Sequence, residues 1–597
     1  MKIGLQQYWN LLVDYLKPQK GRVIKFAIAL LVSIGLQILN PQILRYFIDM
    51  AVAGGDDLQS VGDHRQKLFL AAFLFIAVAL ITQAMSITAT FYGENVAWTA
   101  TNALRADLVE HCLRLDLSFH KYRTPGELVE RIDGDVQNLS EFFSKFTIHI
   151  LGNLLMMLGV IVVLFYEDWR AGLAILLFAL IALSTLIKLR TIAVLHWRGY
   201  RQFSAEFFGF LGEQLTGIED IRANGAKNYV MHRFYKIIRN WLPIFHKARF
   251  ADTILWVTTN GIFTLGSIIS LTVGAYLWSQ QAITIGTVYL LYYYTTILSE
   301  PIEQIRNQFE DLQQADASIY RITDLLQVQS QLSASGDKLI PPGALSIAFK
   351  NVSFSYNNRE LRISGNKDLV LQNISFNLPA GQVLGLLGRT GSGKSSLARL
   401  LLRLYDPQSG SIRLGGVPID QTSLTELPGK VGLVTQDVQL FQTTVRNNLT
   451  FFNQHINDDR IYETLEILGL SEWLHSLPNG LDTNLGPDSS GLSAGQAQLL
   501  AFTRVFLKDP GLIILDEASS RLDPITEKLI ERAIDKLLLG RTGIIIAHRL
   551  ATVERANQIL ILEKGRVNEY GEREELAKNP QSRFAQLLQA GLKDLLV

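Results

Sequence analysis

Six apolar stretches in the first half of the chain decide most of what it can become. They run over about residues 23–50, 68–91, 146–165, 171–189, 254–278 and 283–298. A helix needs about 20 such residues to cross the hydrocarbon of a bilayer. A backbone inside lipid must also satisfy its own hydrogen bonds, so each run reads as a membrane-spanning helix. Basic residues gather at 17–22, 188–201 and 236–249, whereas the stretch "GGDDLQSVGD" after the first run is acidic. That asymmetry predicts both termini on the cytoplasmic side, with "YEDWR" and "SQQA" as short external turns. The connections over 98–145 and 190–252 are long and helical in pattern, so the helices are expected to leave the membrane and double back. Beyond Glu94, near the cytoplasmic end of the second run, no charged cluster is expected within the spans, which argues against a proton-coupled carrier. Tyr289, Tyr292, Tyr293 and Tyr294 suit either a cavity for a bulky amphipathic molecule or simple helix packing.

Composition agrees with a partly membrane-embedded chain: 48% of the 597 residues are hydrophobic. The 56 Lys and Arg balance 55 Asp and Glu to a net charge of +1, which gives no reason to expect a nucleic-acid partner. Cys112 is the single cysteine, so an intrachain disulfide and a Cys-based zinc site are both excluded.

After the polar, Pro- and Gly-containing stretch "DLLQVQSQLSASGDKLIPPGALS", apolar strands alternate with helical patterns. The expected organisation is a membrane domain over 1–325, a linker over 326–344 and a nucleotide-binding domain over 345–597. In the second half, the strand "QVLGLLG" runs into "GRTGSGKSS", a match to G-x-x-x-x-G-K-[ST] in its strand, loop, helix setting. Gly388, Arg389, Thr390, Gly391, Ser392 and Gly393 are expected to curl backbone N–H groups around phosphates. Lys394 would reach the outer phosphates, and Ser395, followed by Ser396, would sit at an anion-favouring helix start and offer a hydroxyl to Mg²⁺. Downstream, "GLIILDEASS" ends a strand in two carboxylates. Adjacent side chains on a strand face opposite ways, so Asp516 suits Mg²⁺ and Glu517 suits orienting and deprotonating a water. The strand "TGIIIAHRL" carries His548 to the same edge, within reach of a γ-phosphate. In "LSAGQAQLLAFTRVF", Ser493, Gly495 and Gln496 open a helix whose N–H groups suit a second phosphate.

The order and spacing of these pieces resemble the ABC-transporter ATPase family, whose signature L-S-G-G-Q is matched by Leu492, Ser493, Gly495 and Gln496. The resemblance implies further roles: Gln436 as the Q-loop residue touching Mg²⁺ and the reaction, Asp523 as the D-loop residue, His548 as the switch histidine and Tyr356 as the ring that stacks adenine. Residues 119–139 and 211–234 are similar to the cytoplasmic coupling loops of the exporter branch. The implied fold is an all-α six-helix transmembrane domain followed by an α/β P-loop ATPase domain with a helical subdomain. The implied activity is ATP hydrolysis driving export, or inner-to-outer leaflet flipping, of an amphipathic drug, lipid or peptide. Two such half-transporter chains would pair head to tail in a membrane, expected to be the bacterial inner membrane, with the ATPase domains cytoplasmic. A membrane-anchored ATPase that switches conformation without moving cargo is the competing reading. Three places depart from the family: Ala494 replaces the first signature Gly, "TNLGPDSSGLS" replaces the usual T-E-V-G-E-R-G, and "NNRELRISGNKDL" after Tyr356 is longer and more polar. An altered signature beside intact Lys394, Asp516, Glu517 and His548 fits one member of a heterodimer and a tolerant homodimer about equally.

Overall fold

The computed structural model describes residues 13–53, 61–145, 150–332, 336–356, 369–435, 438–486, 492–516, 524–547 and 553–589. Gln436, Glu517, Asp523, His548, the stretch 357–368 and residues 487–491 lie outside them. The chain divides into two compact units. One comprises Met1–Leu113 and Pro125–Val328, and the other Arg114–Thr124 and Gln329–Val597.

The first unit is helical. Its long members are α1 (Lys20–Ala53), α2 (Val61–Arg114), α3 (Asn153–Glu167), α4 (Trp169–Thr216), α5 (Lys227–Ser279), α6 (Ile285–Ile297) and α7 (Ser299–Gln327). Among the described residues, five helices are long and apolar enough to cross a membrane. The sixth apolar run of the sequence is α6, only 13 residues long. Helix α6 stops at Leu298, and Pro301 explains why: it has no N–H to donate to the carbonyl four residues back, so the ladder breaks there before α7 resumes. Helix α5, at 53 residues, is about 80 Å long at 1.5 Å per residue, far beyond the about 30 Å of hydrocarbon. The excess matches the doubled-back extension beyond the membrane expected from the sequence. Between α4 and α5 it is closed by aromatic packing, Trp241 against Tyr200 and Phe207 with centroids 5.8 and 4.6 Å apart. Elsewhere large apolar side chains such as Phe69, Phe73 and Leu80 face no protein, as lipid-facing positions do.

The expectation of no charged cluster within the spans beyond Glu94 is corrected here. Arg45 of α1 pairs with Glu167 at the end of α3 and lies 3.7 Å from Asp49. Asp49 in turn accepts from the Gly286 N–H and the Thr284 hydroxyl, both at 2.8 Å, at the start of α6. Scanning single runs missed this group because each contributing helix carries its charge at its end, and only packing gathers them. Tyr294 is fully buried and donates to the Ile38 carbonyl at 2.7 Å, a packing role.

The second unit is built on two sheets. Strands β1 (Ile347–Phe354), β2 (Leu371–Leu378), β4 (Ser409–Leu414) and β5 (Val417–Pro418) form an antiparallel sheet in the order β2-β1-β4-β5. Strands β3 (Val383–Leu387), β6 (Val431–Val434), β7 (Leu512–Asp516), β8 (Thr542–Ile546), β9 (Gln558–Glu563) and β10 (Arg566–Glu572) form the other, in the order β10-β9-β3-β8-β7-β6. Its core is parallel, and β3 and β8 are buried at every position, as their unbroken apolar sequences require. Helices α8 (Lys394–Leu401), α9 (Val445–Thr450), α10 (Asp458–Ile467) and α11 (Ala494–Lys508) follow in chain order, the last three inserted between β6 and β7 as the helical subdomain. The same unit includes a short helix, Leu117–Lys121, which directly follows α2 in the chain.

Candidate functional site

Strand order sets the site. Because β8 lies between β3 and β7, the turn after β3, the end of β7 and the chain leading towards His548 share one sheet edge. In register, Asp516 stands opposite Ile546. This is the carboxyl edge, where open α/β sheets place ligands.

The turn is shaped by glycines. Gly388, Gly391 and Gly393 have φ of 147°, 82° and 105°, values that side chains disfavour. A Cβ on Gly388 would lie 2.3 Å from the Leu562 carbonyl oxygen. Helix α8 then starts at Lys394, which is buried, its Nζ donating to the Gly388 and Arg389 carbonyls at 2.5 and 3.2 Å. Thr390, Gly391 and Gly393 line a pocket of about 420 Å³ together with Lys394, Ser395, Asp516 and Tyr356. Ser392 is buried in the turn and its hydroxyl has no hydrogen-bond partner among the described residues. A concave run of N–H groups, a buried ammonium and an unpaired hydroxyl are what a polyphosphate needs.

The Ser395 hydroxyl donates to Asp516 Oδ2 at 3.5 Å. Two hard oxygen donors at that separation fit Mg²⁺, which prefers one or two protein oxygens with phosphates and water supplying the rest. The Tyr356 hydroxyl is tied to the Ser396 hydroxyl at 2.9 Å, and Arg399 Nη1 donates to it at 3.0 Å. Its ring meets Phe354 and Tyr405 edge to face, with centroids 4.8 and 5.1 Å apart. Burial pushes the Tyr405 phenol up, with the neighbouring Tyr356 adding to it.

The signature stretch opens α11 as a reciprocal cap. The Ser493 hydroxyl accepts from the Gln496 N–H at 3.1 Å, and the Gln496 side chain accepts from the Ser493 N–H at 2.9 Å. Accepting leaves the Ser493 O–H free to donate. Ala494 is the first helical residue and is exposed, whereas Gly495 is buried. A Cβ on Gly495 would stand 2.2 Å from Thr526 Cγ2. The two signature positions are therefore unequal: the methyl of Ala494 meets nothing buried, and only the second position demands glycine.

Sequence reasoning missed the supports. Gln498 donates to the carbonyl of Thr435, the residue before Gln436, at 3.4 Å. Arg504 donates to the Asn448 and Gln439 carbonyls at 2.8 and 2.9 Å, and burial pulls its guanidinium down to about 10. Arg399 follows Ser395 by one helical turn, so helical periodicity could have found it; no local pattern marks Arg504. Asp116 was also missed, although Asp two residues before Ser118 is an N-cap pattern. It accepts from the Ser118 and Phe119 N–H groups at 2.9 and 3.2 Å, from the Ser330 hydroxyl at 3.1 Å and from the Gln331 N–H. Burial pushes its carboxyl up, but those four bonds together outweigh burial and hold it below the usual range.

The "ABC transporter transmembrane region" family model matches residues 23–302 and the "ABC transporter" model residues 371–520. The chain belongs to the ABC transporters. It is 30% identical over 572 residues to the human mitochondrial iron-sulfur clusters transporter ABCB7, covering 92% of this chain and 73% of that one. To ATP-dependent lipid A-core flippase 1 of Colwellia psychrerythraea it is 29% identical over 597 residues, covering 97% and 96%. Its fold is similar to that of a bacterial Atm1-family ABC exporter solved with ATP bound, with TM-score 0.77 at 23% identity over 96% of this chain and 98% of the other. This ABC transporter is thus an exporter-type half-transporter: a membrane-spanning domain fused to an ATPase that drives transport, in a family that works as dimers.

Proposed function

We propose that two copies of this chain form an exporter that moves an amphipathic or hydrophobic molecule outward across, or between the leaflets of, a bacterial inner membrane. The observation that carries the reading is the pocket joining the glycine turn, Lys394, Ser395 and Asp516 on one sheet edge. ATP would lie with its phosphates along Gly388–Ser396 and its base on Tyr356. Ser395, Asp516 and Gln436 would hold Mg²⁺, which when bound offsets phosphate charge. Glu517 takes a proton from the attacking water, and His548 steadies the γ-phosphate. The partner's Ser493, Gly495, Gln496 and Asp523 would close the site from the other side, since an exposed helix start with a spare O–H and N–H groups suits an anion. Its relatives include lipid A-core flippases, so a lipid is the first cargo to try.

The test is ATP turnover and substrate movement by the purified chain in lipid bilayers, beside Glu517→Gln. Loss of turnover by at least about 100-fold with ATP binding retained is expected for removal of a general base. Turnover that persists in Glu517→Gln, or a monomeric active chain, refutes the assignment. ATP turnover indifferent to every lipid and drug tried, with no cargo moved, would support the conformational switch instead.

A further inference from the structure

The short helix Leu117–Lys121 is packed into the ATPase unit, although in the chain it directly follows the membrane-spanning helix α2. Two contacts fix it there. Asp116 caps its N-terminus while accepting from Ser330 and Gln331 of the segment that follows α7 towards the ATPase fold. At the other end, the Lys121 ammonium stands 3.9 Å from the centroid of the Tyr356 ring. That distance is well inside the about 6 Å range of a cation–π contact, so one face of the ring is covered. Lys121 does not line the phosphate pocket, whereas Tyr356 does. The ammonium therefore stands on the side of the ring away from the pocket, and on the pocket side the Arg399 guanidinium lies 6.0 Å from the same centroid, at the limit of that range.

Tyr356 is thus held by several partners: its hydroxyl by Ser396 and Arg399, its ring by T-shaped contacts with Phe354 and Tyr405, and one face by Lys121. A ring fixed in this way loses little freedom when a base stacks on it, and pre-organisation of that kind raises affinity. A cation on the far face also draws electron density from the ring, which favours stacking of an electron-rich purine on the near face. We propose that Lys121 is a positioning residue for the nucleotide base, acting through Tyr356, and that base binding and the seating of helix Leu117–Lys121 strengthen each other. The proposal rests on the reading of Tyr356 as the adenine-stacking ring. Linkage makes the effect reciprocal: if seating the helix improves adenine binding, adenine binding seats the helix by the same factor. Lys121 would then report the base to the membrane-spanning helix that precedes it, separately from anything the phosphates do.

The experiment measures binding of MgATP, and of inorganic triphosphate as a probe without a base, to the full chain in lipid nanodiscs. Lys121→Met is expected to weaken MgATP about 3- to 10-fold, the range of a partly desolvated cation–π contact. Triphosphate binding should stay unchanged, Lys121→Arg should restore most of the ATP affinity, and Lys121→Met should add nothing in a Tyr356→Ala background. Equal ATP affinity with and without Lys121, an equal loss for triphosphate, or an undiminished loss in the Tyr356→Ala background each overturns the proposal. Should Tyr356→Ala itself leave ATP binding unchanged, the fault lies in the reading of Tyr356, and the proposal falls with it.

Discussion

Exchanging the two adjacent signature residues in opposite directions separates the argument for Gly495 from mere family habit. A Cβ added at Gly495 meets Thr526 Cγ2 at 2.2 Å, Cβ at 3.1 Å and Oγ1 at 3.3 Å. The first distance is impossible, and the methyl belongs to a β-branched side chain with little rotamer freedom. Gly495→Ala must therefore shift α11 against the helix Pro524–Leu538, an overpacking that costs about 1–3 kcal/mol. For a domain of this size each kcal/mol lowers the melting temperature by about 2–4 °C, so the ATPase transition should fall by about 2–12 °C. Ala494→Gly, at an exposed first helical position, forfeits at most about 1 kcal/mol of helix propensity. The assay is thermal unfolding of the whole chain in nanodiscs at one fixed scan rate, because unfolding of large proteins is often irreversible. Thr526→Ser removes the clashing methyl and keeps the hydroxyl, so it should recover most of the loss in the Gly495→Ala background and do little alone. If Gly495→Ala melts with the parent protein, or Thr526→Ser fails to rescue it, the steric account is wrong.

Three other outcomes follow from the contacts described. Lys394→Ala removes a charged donor from the phosphate turn and should weaken ATP about 10- to 100-fold, the equivalent of about 1.5–3 kcal/mol, measured by equilibrium binding. Asp116 is held below the usual carboxylate range when folded, so it stabilises the protein above about pH 4, its ordinary titration range, and that stability fades as pH falls through the folded value. Asp116→Asn should thus melt several degrees lower at pH 7, consistent with a lost cap of about 0.5–2 kcal/mol, and the gap should close on acidification; a constant gap refutes it. Arg45 serves both Glu167 and Asp49, so Arg45→Met should destabilise the membrane unit more than Glu167→Gln, which leaves Arg45 with Asp49. The reverse order in thermal unfolding would show that the cluster is not held by its cation.

What the sequence disclosed depended on how local the signal was. Spans of about 20 apolar residues and the glycine turn before Lys394 are written in contiguous residues; among the described residues five of the six expected spans and the turn stand where expected. The register that sets Asp516 beside Ser395 was legible only through the general rule that ligands sit at strand ends. Arg45 with Glu167, Arg504 with Asn448, and Asp116 with Gln331 join residues far apart in the chain. Nothing in one sequence announces such pairs, because a lone charge reads the same whether solvated or matched. The stop in α6 was readable after the fact from Pro301, yet an apolar count alone runs straight through it.

The segment Arg114–Thr124 also bears on how the protein is made. Its anchor, the Gln331 N–H, lies 215 residues further along the chain than Asp116. At the about 5–20 residues per second of synthesis, the short helix leaves the ribosome roughly ten to forty seconds before the segment that anchors it. The first unit's helices are synthesised during that interval, and the ATPase unit cannot be completed from its own contiguous sequence alone. Chains cut after the last membrane helix should expose Leu117–Lys121 to protease, and assembly should be slow and sensitive to translation speed over residues 125–330 in a way an isolated ATPase domain is not.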